Sequence, residues 1–324
     1  MKIPNELLES FKNSQNVAIF AHVRPDGDCF GSASALKGAL LKMGKTADIF
    51  CDCELSENYK FIKYINNEEL NCSSCEFDHY DLAVAVDCSD KSRIGKFADV
   101  FDAANIKIKI DHHKTNDDFA DINFVQHVGS TCEILYDIIK QLNVELDADI
   151  ACSLYAGVSS DTGCFMHNNT TSETHRIAGE LMQYGFDLDV ANYNLFKRRS
   201  YGQVMILKQA LNNLSFICNN KVAISFLTIK DFKTFKTKNT ETYGIVNTLV
   251  DIESVDIGIL ISEDKPNLYT CSFRSKNKID VSVICEKFGG GGHLNASGCN
   301  IFGGHKVVIS KIEKVINEYY ARLS

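Results

Sequence analysis

No stretch of this 324-residue sequence approaches the ~18 consecutive apolar residues that a membrane span requires. The opening segment Met1-Lys2-Ile3-Pro4-Asn5-Glu6 has no apolar core of a signal peptide. A cytoplasmic protein is therefore the expectation, and tripeptides such as Asn168-Asn169-Thr170 carry no glycosylation meaning without export. Internal repeats and low-complexity segments are also lacking, which removes repeat arrays and disordered tracts from consideration. A basic surplus is missing too. The formal net charge is −8, and basic residues cluster only at Lys197-Arg198-Arg199 and at Lys233, Lys236 and Lys238. Proteins that wrap long nucleic acid usually show a basic face, so no long nucleic-acid track is expected. An acidic balance does not exclude phosphate chemistry, because bound cations can supply the positive charge.

Cysteine is not scarce, but its 13 copies are odd in number and scattered, which reads as reduced thiols and not as a disulfide framework. Two pairs lie close together, Cys51-Asp52-Cys53 and Cys72-Ser73-Ser74-Cys75. They read either as small buried hydrophobes plus a loop or as zinc ligands, although they follow no strong zinc template.

The length exceeds one ordinary domain, and a hydrophobic fraction of 45% is enough for real cores. In the first half, short apolar runs alternate with helical stretches. Val17–Ala21, Ala47–Phe50 and Asp81–Val86 read as buried strands, and the alternating Ile106–Ile110 as a half-exposed one. Gly31–Met43 has helical spacing and is closed by Gly44. Further helices are expected from Ser130 or Thr131 through Leu142, over Ala148–Ser160, and from Ser172 to Gly185. This order implies an α/β fold: an N-terminal, mostly parallel, Rossmann-like sheet flanked by helices over residues 1–188. Residues 189–213 read as one connector helix. Residues 214–324 read as a smaller α/β domain with a mixed sheet, with strands at Lys221–Leu227, Val255–Ile261 and Leu268–Phe273. Its helices are expected at Glu241–Ile252, Val281–Phe288 and His305–Leu323.

The chemistry concentrates where strands end. The first is followed by His22-Val23-Arg24-Pro25-Asp26-Gly27-Asp28, the third by Asp87 and the fourth by Asp111-His112-His113. In a parallel sheet these carboxyl ends share one edge, which is where ligands bind. A helix ending at Ser159-Ser160-Asp161-Thr162-Gly163 can bring Asp161 to the same edge. Each residue alone has a plain structural reading, since an Asp after a strand often caps a helix and a lone His is often structural. Together they are harder to dismiss. Carboxylates forced into one place repel and resist ionisation unless cations join them. Asp26, Asp28, Asp87 and Asp161 sum to −4, which two divalent ions balance. Mixed imidazole and carboxylate donors suit Mn, Co, Fe or Zn better than Ca, and paired metals are a standard arrangement for phosphate esters. His79, His127, His167, His175 and His305 are left as structural or surface residues.

The second half carries a separate signal, Phe288-Gly289-Gly290-Gly291-Gly292-His293, followed by Leu294-Asn295-Ala296-Ser297-Gly298. Consecutive glycines cost backbone entropy, so they mark either a flexible loop or a main chain that approaches a ligand closely. Upstream, Arg274 and Ser275 end a strand, and Arg274 is either a surface residue or a bidentate phosphate holder.

These motifs together resemble the DHH phosphoesterases, named for the triplet present here as Asp111-His112-His113. The glycine run with His293 resembles that family's DHH-associated C-terminal domain of the GGGH type, so the resemblance covers nearly the whole chain. Length and layout look most like the bifunctional oligoribonuclease and pAp phosphatase (NrnA-like) group. The resemblance implies two metal ions, usually manganese. His22, Asp26 and Asp87 would hold one, and Asp28, Asp87, His112 and Asp161 the other. Asp111 would orient the histidines, and His113 would contact the scissile phosphate. Arg274, Ser275, Gly290, Gly291, Gly292 and His293 would bind substrate. It further implies hydrolysis of short oligoribonucleotides and pAp to nucleoside monophosphates. Linear or cyclic dinucleotides (pApA, c-di-AMP) are the alternative substrates, and a RecJ-like single-strand exonuclease is a lesser one. Pyrophosphate or polyphosphate hydrolysis would show as activity on pyrophosphate with none on pAp. A nucleotide sensor without turnover would show a broken ligand set, and every ligand is present. The native metal and the assembly, a homodimer included, stay open.

Overall fold

The structure is a computed structural model that describes residues 1–65, 70, 79–113, 117–242, 244–276 and 279–323. The chain divides into two compact units, Met1–Arg198 and Arg199–Ser324.

The first unit is built on five parallel strands: β1 (Asn16–Phe20), β2 (Thr46–Phe50), β3 (Leu82–Val86), β4 (Ile106–Asp111) and β5 (Ile122–Val125). Their order is β2-β1-β3-β4-β5. The order in which strands are added reverses between β1 and β3, since β2 lies on one side of β1 and β3 to β5 on the other, and an open α/β sheet offers its ligand crevice at such a switch point. β1 and β3 are buried on both faces, which is why they read as continuous apolar runs. One face packs on helices through Val17, Ile19, Val84 and Ile108, and the other carries Ala18, Phe20, Ala83 and Ala85.

Helix α1 (Asn5–Asn13) precedes the sheet and α2 (Gly27–Lys42) follows β1. Helix α3 (Ala98–Ala103) leads into β4, and a 3-10 segment, Lys91–Phe97, precedes it. Helices α4 (Thr131–Gln141), α5 (Ala148–Asp161) and α6 (Ser172–Met182) close the unit. Helix α2 starts at Gly27, earlier than the expected Gly31, because Asp26 caps it. Helices α2 and α5 pack backbone to backbone. A Cβ on Gly31 would lie 2.4 Å from the Ser153 carbonyl oxygen and 3.0 Å from Gly157 N.

Two expectations need correction. β4 is not half-exposed. It lies between β3 and β5, and Ile108, Lys109, Ile110 and Asp111 are all buried. The Lys109 ammonium donates to the Asp117 carbonyl at 2.6 Å and sits 5.3 Å from the Phe119 ring centroid. The stretch 189–213 is not one helix either. Helix α7 (Leu188–Asn192) runs into a π-helical turn, Tyr193–Lys197, and Arg198 is extended. Ser200 then starts helix α8 (Tyr201–Asn212) with a reciprocal capping box to Gln203.

The second unit is a six-stranded mixed sheet ordered β10-β11-β9-β8-β7-β6. Its strands are β6 (Ser215–Ile217), β7 (Val222–Leu227), β8 (Ile257–Lys265), β9 (Leu268–Ser275), β10 (Gly291–His293) and β11 (Ala296–Phe302). Only β7 and β8 pair in parallel. Helices α9 (Ile229–Phe235), α10 (Ile245–Val250), α11 (Ser282–Glu286) and α12 (His305–Leu323) complete it. Helix α12 buries Val308, Ile312 and Ile316, one residue per turn, against the core of β8, β9 and β11. Among the described residues no helix is long and apolar enough to cross a membrane.

Candidate active site

The carboxyl edge of the first unit's sheet gathers the polar residues that end β1, β3 and β4. His22 follows β1 and is almost wholly buried, as are Asp28, Asp87 and Asp111. Asp87 directly follows β3 and takes a left-handed backbone conformation at φ 57°. A non-glycine residue pays strain there, a cost that persists mainly where function requires it.

Asp26 caps α2: its Oδ1 accepts from the backbone N–H groups of Asp28 and Cys29, each at 3.1 Å. That cap turns Asp28 inward in the first helical turn. Both Asp28 oxygens then meet the start of α4, accepting from Thr131 N at 2.6 Å and Cys132 N at 2.9 Å. A helix N-terminus favours negative charge, so the backbone of α4 holds this carboxylate in place. The Thr131 hydroxyl donates to Asp87 Oδ1 at 3.0 Å and ties a second carboxylate to the same turn.

Asp111 Oδ1 accepts from His112 N at 2.9 Å, from His113 N at 3.3 Å and from His113 Nδ1 at 2.7 Å. His112 Nδ1 donates to the Val128 carbonyl at 3.2 Å. In that tautomer Nε2 carries a lone pair, and it faces Asp161 at 3.4 Å, Asp87 at 3.5 Å and Asp28 at 3.9 Å. His22 Nε2 lies 3.4 Å from Asp87 Oδ2. Three sets of donor atoms converge within 4.8 Å: Asp28, His112 and Asp161; Asp87, His112 and His113; and His22, Cys29 and Asp87. Asp87 and His112 each belong to two of them. Asp26 belongs to none, and its cap bonds are the contacts the structure shows for it.

The electrostatics match the donor chemistry. Burial pushes Asp28 and Asp87 above the usual carboxylate range, and neighbouring carboxylates push them further. Asp161 is raised to about 7 by burial and by the Asp28 charge. Burial lowers His22, whereas at His112 the charges of Asp28, Asp87 and Asp161 outweigh burial and raise it. His113 rises to about 9, because the Asp111 hydrogen bond and the Asp87 and Asp111 charges overcome the effect of burial. Carboxylates that resist ionisation together, facing imidazole lone pairs, form a donor set that fits divalent cations.

Three contributors carry no signal in the sequence. Thr131 passes for an ordinary helix-start residue, Cys29 for a helix hydrophobe, and Arg93 for a surface arginine. Among the histidines set aside, His167 packs its ring over Gly163 and places Nδ1 3.3 Å from the Asp161 carbonyl. Cys51 and Cys53 bring their sulfurs to 3.0 Å, while Cys72 and Cys75, the other half of the zinc reading, lie outside the described residues.

In the second unit the glycine run is not a free loop. Gly291–His293 form β10, paired antiparallel with β11. A Cβ on Gly290 would lie 2.2 Å from the Gly298 carbonyl oxygen, and Gly292 has φ 143° with the Ala296 carbonyl 2.6 Å from its Cβ position. These two glycines are required by the hairpin itself. Gly291 has open space where a side chain would stand. The register aligns position 293 with Ala296 and Ala296 with Arg274, a single row across three strands. Arg274 Nη1 donates to the Phe273 carbonyl at 2.9 Å. The Ser275 hydroxyl donates to the Ile279 carbonyl at 2.6 Å and accepts from Asn295 Nδ2 at 3.0 Å, so it braces the turn.

Comparison with known proteins places both units. The DHH family N-terminal domain matches residues 16–158 and the DHHA1 domain matches residues 219–322. A Streptococcus mutans protein named as a probable bifunctional oligoribonuclease and PAP phosphatase NrnA is 30% identical, over 91% of this chain and 93% of its own. The Bacillus subtilis bifunctional oligoribonuclease and PAP phosphatase NrnA is 27% identical, over 97% and 99%. Among solved structures, an exopolyphosphatase-related protein from Bacteroides fragilis shares the fold with a TM-score of 0.90 at 24% identity, covering 98% of this chain and 96% of that one. An exonuclease RecJ bound to manganese shares it more distantly, with a TM-score of 0.51 at 13% identity and coverage of 98% and 93%. With its strand-end Asp and His residues converging on one edge and both domains matched, the chain belongs to the DHH family of phosphoesterases.

Proposed function

We propose that this protein hydrolyses short oligoribonucleotides and pAp to nucleoside monophosphates, a reading supported by relatives named as bifunctional oligoribonucleases and PAP phosphatases. The observation that carries the reading is His112 Nε2, which faces Asp28, Asp87 and Asp161 at 3.4–3.9 Å beside a shared Asp87. His22, Asp26 and Asp87 would hold one divalent ion, and Asp28, Asp87, His112 and Asp161 a second, with manganese the preferred metal. Bound ions of this kind lower the pKa of water and offset charge on phosphoryl oxygens.

The rest falls to side chains. Thr131 and the first turn of α4 keep Asp28 and Asp87 aimed at one point. Asp111 holds His113 through Nδ1, so proton exchange between His113 and a leaving oxygen would run through Nε2. In the second unit, the Arg274 guanidinium and the main chain at Gly290, Gly291, Gly292 and His293, braced by Ser275, would hold the substrate's terminal phosphate. The cytoplasm suits this chemistry, because the cysteines of the described residues are free thiols.

The test is a manganese-supplemented hydrolysis panel over pAp, pApA, c-di-AMP, pyrophosphate and RNAs of two to five nucleotides, compared by kcat/KM. Preference for pAp and short RNA supports the proposal. Turnover of c-di-AMP alone, or of pyrophosphate alone, overturns it.

A further inference from the structure

Arg93 sits on the 3-10 segment that follows β3, six residues past Asp87. Its backbone carbonyl accepts from Val23 N at 2.7 Å, which pins this segment to the loop carrying His22. Its Nη2 lies 2.9 Å from His22 Nδ1. Its Nε is buried and has no hydrogen-bond partner among the described residues. The positive charge is felt at both histidines that flank Asp87, lowering the proton affinity of His22 and of His113.

The contact with His22 is ambivalent. The same Nδ1 lies 2.8 Å from the Val23 carbonyl oxygen. One ring nitrogen cannot serve both neighbours, because it either donates to the carbonyl or accepts from the guanidinium. A histidine that offers Nε2 to a cation beside Asp87 carries its proton on Nδ1, and that proton belongs to the carbonyl. Nη2 is then left beside a filled position, next to an Nε that already lacks an acceptor. Nε–H and one Nη2–H point the same way along one edge of the planar guanidinium, and that edge matches two oxygens of a phosphate. A buried guanidinium N–H without an acceptor is costly, so an arginine packed only for structure would have found one.

Building on the phosphoesterase reading above, we propose that the Arg93 side chain turns its Nε–Nη2 edge, whose Nε is closed to solvent in the free protein, onto the scissile phosphate, as a catalytic residue additional to the Asp and His set. The guanidinium would approach from the His22 side and His113 from the other. Phosphate charge would thus be met on two sides by groups of this unit alone.

The experiment compares wild type with Arg93→Lys and Arg93→Gln, each first checked for native circular dichroism. Mn2+ binding is measured by calorimetry, inorganic phosphate binding to the manganese-loaded protein by the same method, and kcat/KM on pAp. Mn2+ affinity should stay within about threefold of wild type, because the Val23 carbonyl, and not Arg93, holds the His22 Nδ1 proton. Phosphate affinity should fall roughly tenfold or more in Arg93→Gln, and kcat/KM by about 10²–10³. Arg93→Lys keeps the charge but loses the fork, so it should recover only part of either loss. Phosphate affinity and kcat/KM within threefold of wild type would overturn the proposal. So would Mn2+ affinity that falls in step with kcat/KM, which would make Arg93 a support for His22. If wild type hydrolyses nothing in the panel, the reaction assignment fails by itself, and the phosphate-binding comparison still decides the role of Arg93.

Discussion

The His113 imidazole donates through Nδ1 to Asp111 Oδ1 at 2.7 Å, and this pair binds the end of β4 to the part of the site nearest solvent. In the metal-free protein burial pulls His113 down, yet the Asp111 bond and the Asp87 charge raise it to about 9. A folded-state pKa above the ordinary 6.5 adds stability that is complete below pH 6.5 and fades as pH climbs through about 9. Metal-free wild type should therefore lose Tm over that window, and Asp111→Asn should lose much less. Proton NMR of the His113 ring should show its titration dropping back toward 6.5 in the variant. Identical pH profiles would mean that Asp111 does not control His113.

Asp161 is shifted in the same direction, but its proton bears on metal binding. Burial and the Asp28 charge raise it to about 7, so the metal-free site holds a proton there that a cation must displace. Mn2+ affinity should rise steeply between pH 6 and pH 8. Calorimetry in buffers of different ionisation enthalpy should register proton release at the lower pH. Asp161→Asn should bind more weakly at pH 8 and lose much of the pH dependence. A wild-type affinity that is flat across this range would refute the coupling.

Asp87 combines burial, a strained φ and repulsion from Asp28 and Asp26. Such a residue destabilises the fold that carries it, as is common where activity constrains sequence. Asp87→Asn should cut hydrolysis by about 10²–10³-fold, in line with loss of a principal electrostatic contributor. The metal-free variant should nevertheless melt at or above the wild-type temperature. A variant that loses both activity and stability would show that Asp87 holds the sheet edge together.

Gly157 and Gly179 make a matched pair, both inside helices. Alanine is favoured over glycine in a helix interior by about 1 kcal/mol. At Gly179 nothing lies within 4 Å of the added methyl, so Gly179→Ala should stabilise by roughly that amount in urea denaturation. At Gly157 the methyl would lie 2.2 Å from Cys132 Sγ and 2.6 Å from Asp28 Oδ1. Overpacking of this kind costs about 1–3 kcal/mol, so the sign reverses, and Mn2+ affinity should drop as Asp28 is displaced. Stabilisation by both changes would show that α5 is free to move away from Cys132 on α4 and Asp28 on α2.

The parallel sheet is readable in the sequence because β1 and β3 are buried on both faces and announce themselves as apolar runs ended by His or Asp. The four-residue β5, Ile122-Asn123-Phe124-Val125, is too short to announce anything. Without it the alternation of Ile106–Ile110 reads as a half-exposed strand, although Lys109 is buried beside β5 and Phe119. The break at Arg198–Ser200 was legible as the capping box Ser200-x-x-Gln203, but the apolar spacing on either side hid it. The Asp and His residues of the site stand out by type and position. Thr131 and Arg93 do not, because their partners lie 103 and 71 residues away, at Asp28 and His22. Contacts made at that range leave no periodicity to read. The glycine run signals an unusual backbone, but not that two of its glycines serve the β10–β11 hairpin while Gly291 stands open.

Thr131 grips Asp28 with its backbone and Asp87 with its hydroxyl. A nascent chain that has exposed only the first three strands therefore carries two acidic groups with nothing to aim them. Asp161 arrives later still, at the end of α5. The centre cannot assemble piecemeal during synthesis, since its parts span residues 22 to 161 and close through a turn made late. A ribosome-bound fragment that stops short of Asp161 should therefore be inert toward short RNA.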